Sequence, residues 1–151
     1  MARNDICFLH AERVRWGEAD MQGVVFNAHY LTYVDIGMTE YFRALQGDQG
    51  KLELAADTLA VGAGDFFLVR SELDFHKPAE YDDLIEIGGR VLRFGKSSMQ
   101  WQCEIHRGDE HLLTALMVYV HVDLETRDSK LLPQEFKEIV AGFEVIRPEG
   151  V

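Results

Sequence analysis

The segment Ala28–Leu45, AHYLTYVDIGMTEYFRAL, decides the fold class. Its apolar side chains recur at steps of three and four residues, which places them on one face of an α-helix. Asn27 precedes the segment as a favourable N-cap, and Gly47 follows it as a stop. The sequence therefore predicts one long helix with a single apolar face. That face consists of Tyr30, Leu31, Val34, Met38, Tyr41, Phe42 and Leu45.

Alternating apolar and polar residues predict several strands after this helix. In the first strand, Phe67, Val69, Leu73 and Phe75 are expected to share one face. The run Leu112–Val122 is apolar on both faces, as is typical of an interior strand. The expected inward residues of the two strands between them are Ile85, Ile87, Val91, Met99, Trp101, Cys103 and Ile105.

The remaining segments complete a single domain. An earlier strand is expected over Cys7–Trp16, a hairpin turn at Arg107–Glu110, and a short C-terminal helix after Pro133. The segments Gly47–Asp57 and Gly62–Gly64 are expected to be loop or mixed connector. Strands joined by short turns indicate an α+β domain, in which an antiparallel sheet wraps around one long central helix over residues 1–151.

Composition excludes several classes of protein. The 151 residues are 47% hydrophobic and 27% charged, with a net charge of −11, so a nucleic-acid-binding surface is not expected. No signal peptide and no membrane span are predicted, and a cytoplasmic location is the expectation. Cys7 and Cys103 are expected to be buried free thiols. The six histidines fall at no metal-ligand spacing, so neither a metal nor another cofactor is expected.

The loop that leads into the long helix carries a carboxylate, Asp20, a few residues before the helix begins. A helix N-terminus presents unpaired amides and a partial positive charge, which suit a developing oxyanion. A carboxylate beside such a terminus indicates a possible acyl-transfer centre. From spacing alone, the alternative that Asp20 is an ordinary loop carboxylate near a helix start stays open.

The residues Asp20, Gly23, Val25, Phe26 and Tyr30 resemble the active-site signature of the 4-hydroxybenzoyl-CoA thioesterase family of hotdog-fold proteins. That signature reads Asp-x-x-Gly-x-Val-aromatic, followed a few residues later by Tyr. The similarity extends from about Val14 to Val122. The resemblance implies a hotdog fold and an acyl-CoA thioesterase that hydrolyses an acyl-CoA thioester to free acid and CoA, with CoA as part of the substrate.

The resemblance also implies roles for individual residues. Asp20 would be the nucleophile or the general base, a choice that the sequence leaves open. The backbone amide of Asn27 would polarise the thioester carbonyl, and His29 is a candidate contact to the acyl group or the water. The expected substrate-binding residues around them are Gly23, Val25, Phe26 and Tyr30.

A basic cluster formed by Arg93, Lys96, Ser97 and Ser98 resembles the family's site for the nucleotide phosphates of coenzyme A. An ordinary polar hairpin is an equally good interpretation of these residues. The family further implies a homodimer or homotetramer, with the active site between subunits.

Two other functions stay open at this stage. An enzyme acting on acyl carrier protein would use the basic cluster to meet an acidic carrier. A non-catalytic acyl-CoA-binding hotdog protein would keep the fold without turnover, although the presence of Asp20 disfavours it. A hydratase fits poorly, and the identity of the acyl group is not predicted.

Overall fold

The computed structural model describes residues 3–47 and 64–151. Residues 48–57 and 62–63 of the expected connector therefore lie outside the described residues. One five-stranded antiparallel sheet and one long helix form the framework, as expected. The strands are β1 Leu9–Arg13, β2 Gly64–Phe75, β3 Leu84–Phe94, β4 Ser98–Arg107 and β5 Glu110–Asp123, and the helices are α1 Asn27–Leu45 and α2 Gln134–Phe143. The strand order is β1-β3-β4-β5-β2.

The helix α1 begins one residue earlier than expected. Phe26, with φ −64° and ψ 136°, is the extended N-cap, so the prediction of Asn27 as the N-cap is wrong and Asn27 is the first helical residue. The reason lies in the preceding backbone, because Val25 forms a bridge with Ala19 and stays extended. At the other end the Gly47 N–H donates to Ala44 at φ +67°, which confirms the predicted stop.

The core lies between α1 and the sheet face that the alternation predicted. Ile87 on β3 and Trp101 on β4 are fully buried there. Gly37 lets the helix approach closely, since a Cβ at this position would lie 2.5 Å from Ile87 Cγ2. Ile85, Val91, Met99, Cys103 and Ile105 are also fully buried, which confirms the predicted inward residues of these two strands.

The strand β2 corrects one prediction. A β-bulge between Leu68 and Arg70 inserts Val69 as an extra residue against β5. Side chains before the bulge therefore alternate in the opposite phase to those after it, so Phe67 and Val69 do not share the face of Leu73 and Phe75. Phe66 packs inward instead, and its ring centroid lies 5.5 Å from that of Phe136.

The C-terminal helix α2 closes one end of the core. The helix begins directly after Pro133, as predicted, with Pro133 as its N-cap, and Phe136 and Val140 are buried. The Phe136 ring stacks on Phe42 of α1 at a centroid distance of 6.2 Å. Within residues 3–47 and 64–151, no helix combines the length and the apolar character needed to cross a membrane.

Candidate active site

Asp20 occupies the first position of a tight turn. The Gly23 N–H donates to the Asp20 carbonyl at 3.0 Å, and the Asp20 N–H donates to the Val24 carbonyl at 2.9 Å. The Gln22 N–H donates to Asp20 Oδ1 at 2.7 Å, and Gly23 has φ +80°. The Asp-x-x-Gly spacing is therefore first of all turn chemistry, with a carboxylate that caps the turn and a glycine that closes it.

This turn orients the Asp20 carboxylate through only one of its two oxygens. Oδ1 is held by the Gln22 amide. Oδ2 has no hydrogen-bond or ion-pair partner among the residues that the structure describes. The side chain is half-buried. One carboxylate oxygen is thus fixed in direction, while the other is available to a substrate or a water molecule.

The N-terminus of α1 follows directly from this turn. The Phe26 N–H donates to the Glu18 carbonyl at 3.0 Å, which fixes how the chain enters the helix. In the described part of the chain, the backbone N–H groups of Asn27 and Ala28 have no acceptor. The first turn of α1 contains no acidic residue and no side-chain cap. The positive end of the helix is therefore open to an incoming carbonyl oxygen.

A cavity of about 500 Å³ lies beside Asp20. Its apolar wall consists of Trp16, Met21 and Tyr81, which the sequence did not single out as site residues. The Trp16 and Tyr81 rings meet edge to face, with centroids 5.2 Å apart. Their positions in the sequence could have identified them as site residues, because Trp16 and Met21 lie close to Asp20 and Tyr81 begins the turn before β3. Ala19 and Gly23 complete the lining.

Phe26 and His29 lie together at the helix terminus. Phe26 is half exposed, and its ring centroid lies 6.0 Å from that of His29. His29 is partly buried, and its backbone N–H donates to the Phe26 carbonyl at 2.9 Å. The structure shows no hydrogen bond between His29 and Asp20. His29 is thus positioned by the helix and an aromatic neighbour.

Two of the predicted substrate-binding residues lie in the core. Val25 is 1% exposed and its N–H donates to the Ala79 carbonyl at 2.9 Å. The Tyr30 hydroxyl accepts a hydrogen bond from the Ala79 N–H, and burial raises the pKa of Tyr30. Both residues form hydrogen bonds with Ala79, two residues before Tyr81. They therefore connect the start of α1 to the segment that forms part of the cavity wall.

A buried contact holds the loop from the other side. The Tyr33 hydroxyl donates to the Glu18 carboxylate at 2.5 Å. Burial raises the pKa of Tyr33, and its hydrogen bond to Glu18 raises it further. The same carboxylate accepts from the Arg15 N–H at 2.8 Å. Through Glu18, the 16–19 segment before Asp20 is therefore hydrogen-bonded both to α1 and to the chain that precedes the segment.

The predicted phosphate site lies far from Asp20 within one protomer. Arg93 and Lys96 are exposed at the β3–β4 hairpin, and among the described residues neither has an ion-pair partner. This hairpin follows the end of β3, whereas Leu84, at the start of β3, lies in the segment near Tyr81 and Asp20. Eleven residues of strand span roughly 30 Å. The structure thus brings Asp20, Gly23, Asn27 and His29 to one end of the sheet and Arg93, Lys96, Ser97 and Ser98 to the other.

The sequence model of the family described as "Thioesterase superfamily" matches residues 22–114, well over half of the chain. The chain belongs to the thioesterase superfamily. The match begins two residues after Asp20. It includes the whole of α1, with Asn27 and His29 in the first turn of that helix. Membership in the thioesterase superfamily makes this protein a thioester hydrolase.

Curated relatives within the thioesterase superfamily match nearly the whole chain. The acyl-CoA thioesterase YbgC of Haemophilus influenzae is 30% identical over 133 residues, which cover 87% of this chain and 90% of the relative. The acyl-CoA thioester hydrolase YbgC of Escherichia coli O6:H1 is 28% identical over 141 residues, covering 93% and 98%.

Similar solved structures confirm the hotdog fold. A thioesterase from Thermus thermophilus, complexed with coenzyme A and Zn, superposes with a TM-score of 0.76 at 25% identity and covers 93% of this chain and 96% of its own. The PA5185 protein from Pseudomonas aeruginosa gives a TM-score of 0.78 at 24% identity, with 94% of each chain covered.

Proposed function

We propose that the protein is an acyl-CoA thioesterase that hydrolyses an acyl-CoA to the free acid and CoA. The observation that carries the proposal is the Asp20 carboxylate, which is oriented by its own turn, lines a cavity, and stands on the loop that leads directly into the open N-terminus of α1. The names of the Haemophilus and Escherichia relatives support acyl-CoA as the substrate class.

In the proposed reaction, the Asn27 amide donates to the thioester carbonyl oxygen and stabilises the charge that develops on it. Such a donor contributes about 2.7–4 kcal/mol in the transition state. Asp20 either attacks the carbonyl carbon itself or removes a proton from the water that attacks. The C–S bond then breaks, the thiolate of CoA takes up a proton, and the acid is released after addition of the elements of water.

The cavity wall supports an assignment for the acyl group. Trp16, Met21 and Tyr81 form an apolar surface next to Asp20, and an acyl chain buries apolar area against such a surface. In this proposal Phe26 and His29 lie at the mouth, where the thioester and the water meet the helix terminus. Gly23 keeps one side of the cavity free of a side chain.

The distance between the two predicted subsites supports a site shared between protomers. Lys96 lies roughly 30 Å along the sheet from the Asp20 end, so one chain alone does not supply both. β2 forms an edge of the sheet, and its exposed apolar residues Phe67, Leu68 and Val69 support a homodimer through this edge. A homotetramer would pair two such dimers. We propose that Arg93, Lys96, Ser97 and Ser98 of one protomer bind the CoA phosphates of a neighbour's site.

The test is hydrolysis of short, long and aromatic acyl-CoAs by wild type and by Asp20→Asn, with free thiol measured. Asparagine still accepts the Gln22 amide hydrogen bond, so the variant removes the charge and keeps the turn. We expect kcat to fall by about 10²–10⁴-fold. Asp128→Asn, in an exposed loop, is the matched control and is expected to retain wild-type turnover. Full activity of Asp20→Asn on every hydrolysed substrate would refute the assignment.

The same assay separates the other two functions. An enzyme for acyl carrier protein would turn over the carrier-bound acyl group faster than the CoA ester. A non-catalytic acyl-CoA-binding protein would bind the ester and release no thiol. The open Asp20 oxygen and the helix terminus favour turnover over binding alone.

A further inference from the structure

A cluster of titratable side chains lies on the sheet face turned away from α1. Glu104 and His106 alternate along β4 with the core residue Ile105, so they point to the opposite face. His106 pairs with His111 across the β4–β5 hairpin. His76, at the end of β2, reaches the same place, with ring centroids 4.5 Å from His111.

The geometry within this cluster is close. His106 Nε2 and Glu104 Oε2 are 2.9 Å apart. The His106 and His111 rings stack with centroids 4.7 Å apart and an interplanar angle of 11°. One potential ligand atom from each of Glu104, His106 and His111 lies within 4.8 Å of the other two.

Two of these groups are also buried. Glu104 is 2% exposed and His106 is 8% exposed. Burial keeps bulk water away from these ligand atoms, so an ion bound here would be coordinated mainly by protein groups. A divalent cation at this position would contact the carboxylate and the imidazole lone pairs at the same time.

We propose that Glu104, His106 and His111 bind one Zn²⁺ ion as a structural site. Two imidazoles and a carboxylate are a donor set that Zn²⁺ accepts, with metal–ligand distances of about 2.0–2.2 Å. Ligand atoms around a tetrahedral ion then lie about 3.3 Å apart. Glu104 and His106 already meet this spacing, and a small displacement of the less buried His111 side chain brings in the third atom. His76, whose ring centroid lies 4.5 Å from that of His111, is a candidate for the fourth position.

The hydrogen bonds around His111 suit this role. Its Nε2 lies 2.9 Å from the Leu113 carbonyl, which can only accept, so Nε2 carries the proton. The lone pair is therefore on Nδ1, the atom available to a metal. A metal-binding histidine commonly donates its other N–H to a carbonyl in this manner.

The site would connect β4, β5 and the end of β2 near the Arg107–Glu110 turn. It lies on the sheet face opposite α1, and none of its residues lines the Asp20 cavity. The bound ion would therefore stabilise the fold and take no part in hydrolysis. Its presence or absence is therefore independent of the proposed thioesterase activity.

The experiment titrates metal-free protein with ZnCl₂ by calorimetry and follows the melting temperature. We expect one ion per chain, and a Tm that rises by about 5 °C or more at a Zn²⁺ concentration 100-fold above Kd. Substituting Co²⁺ should give the visible absorption of a tetrahedral nitrogen and oxygen site. The double variant His106→Ala/His111→Ala should lose at least about 100-fold in affinity, beyond the effect of a lost second-shell partner.

His10→Ala provides the matched control. His10 Nε2 lies 3.2 Å from Glu12 Oε2, which is a similar histidine–glutamate pair, and residues 3–47 and 64–151 supply it with no third His, Cys, Asp or Glu ligand. This variant should bind Zn²⁺ as the wild type does. Circular dichroism and thiol release should be unchanged in all variants, which separates loss of binding from loss of folding. The proposal is overturned if the wild type binds no stoichiometric Zn²⁺ at micromolar concentrations, or if the double variant binds it equally well.

Discussion

The hydroxyl of Tyr30 accepts a hydrogen bond of 2.9 Å from the backbone N–H of Ala79, between the first turn of α1 and the segment before β3. Because both groups are buried, Tyr30→Phe leaves the Ala79 N–H without its acceptor. We expect the free energy of unfolding to fall by about 1–3 kcal/mol, measured by urea denaturation. The variant should keep kcat within a few-fold of wild type.

Tyr119→Phe is the control for this change, because among the described residues the Tyr119 hydroxyl has no hydrogen-bond partner. It should leave stability nearly unchanged. If Tyr30→Phe instead abolished turnover at wild-type stability, the hydroxyl would have a chemical role and its assignment to the core would be wrong.

Gly23→Ala tests whether the Asp20 turn positions the carboxylate. Gly23 has φ +80°, and no atom lies within 4 Å of the site of an added Cβ, so the strain is in the backbone alone. A left-handed conformation costs an alanine about 1–2 kcal/mol. We expect the turn to relax, with kcat falling about 10-fold or more and Tm falling by a few degrees.

Gly17→Ala is the matched substitution, since its surroundings are equally open and its φ is not positive. It should be nearly neutral in both assays. An active Gly23→Ala enzyme with a lowered Tm would show that the precise turn geometry does not matter for hydrolysis.

Lys96→Ala is expected to raise KM for acyl-CoAs several-fold and to leave KM for acyl-pantetheine thioesters unchanged, because pantetheine lacks the nucleotide phosphates. Lys77→Ala, at the opposite end of the sheet and paired with Glu110, is the control. Equal losses on both substrate types would assign Lys96 to a carrier-protein surface or to structure alone.

Hybrid oligomers test whether the site is shared. In a mixture of Asp20→Asn and Lys96→Ala chains, a shared site places a wild-type Asp20 opposite a wild-type Lys96 in the mixed dimer. High-affinity activity should therefore reappear on co-expression. If each chain builds its own complete site, mixing should restore nothing beyond the sum of the two parents.

A buried carboxylate, Glu144, accepts hydrogen bonds from the Tyr41 hydroxyl at 2.5 Å and from the Val91 N–H at 2.7 Å. Burial raises the pKa of Glu144 above its usual 4.5, against the opposing effect of these donors. Glu144→Ala should lower the free energy of unfolding by about 2–4 kcal/mol, because two buried donors lose their acceptor.

Glu144 should also make stability depend on pH. A carboxyl with a raised pKa in the folded state binds its proton more tightly there, so its favourable contribution is complete below about pH 4.5 and is lost as pH rises through the folded-state pKa. Glu144→Gln cannot ionise and still accepts a hydrogen bond. The stability difference between Glu144→Gln and wild type should therefore grow in favour of the variant over this window, measured by urea unfolding at pH 4 to 8. A flat difference would contradict the raised pKa.

The sequence predicted most of the framework because the inward residues obey simple periods. Trp101, Cys103 and Ile105 alternate along β4, and the apolar face of α1 repeats every three to four residues, so local spacing was sufficient. The helix α1 starts one residue earlier than predicted because the Ala19–Val25 bridge keeps the chain extended up to Phe26. Helix-capping preferences alone do not contain this contact.

The site was predicted less completely, because its parts meet through long-range pairing. Tyr81 reaches Trp16 only once the strands are in register. The three potential ligands Glu104, His106 and His111 are brought together by the hairpin, and their spacing along the chain matches no local metal motif. The family resemblance assigned Lys96 and Asp20 to one substrate site. Within one chain, however, the length of β3 separates them.

The bulge at Val69 also determines where β2 tolerates a change in length. Because Val69 has no partner on β5, deleting it would join Leu68 to Arg70 in an uninterrupted ladder, and every other side chain would keep its face. A deletion elsewhere in this strand would turn part of it over and expose residues such as Leu73. Homologous chains that differ by one residue in β2 should therefore differ at this point.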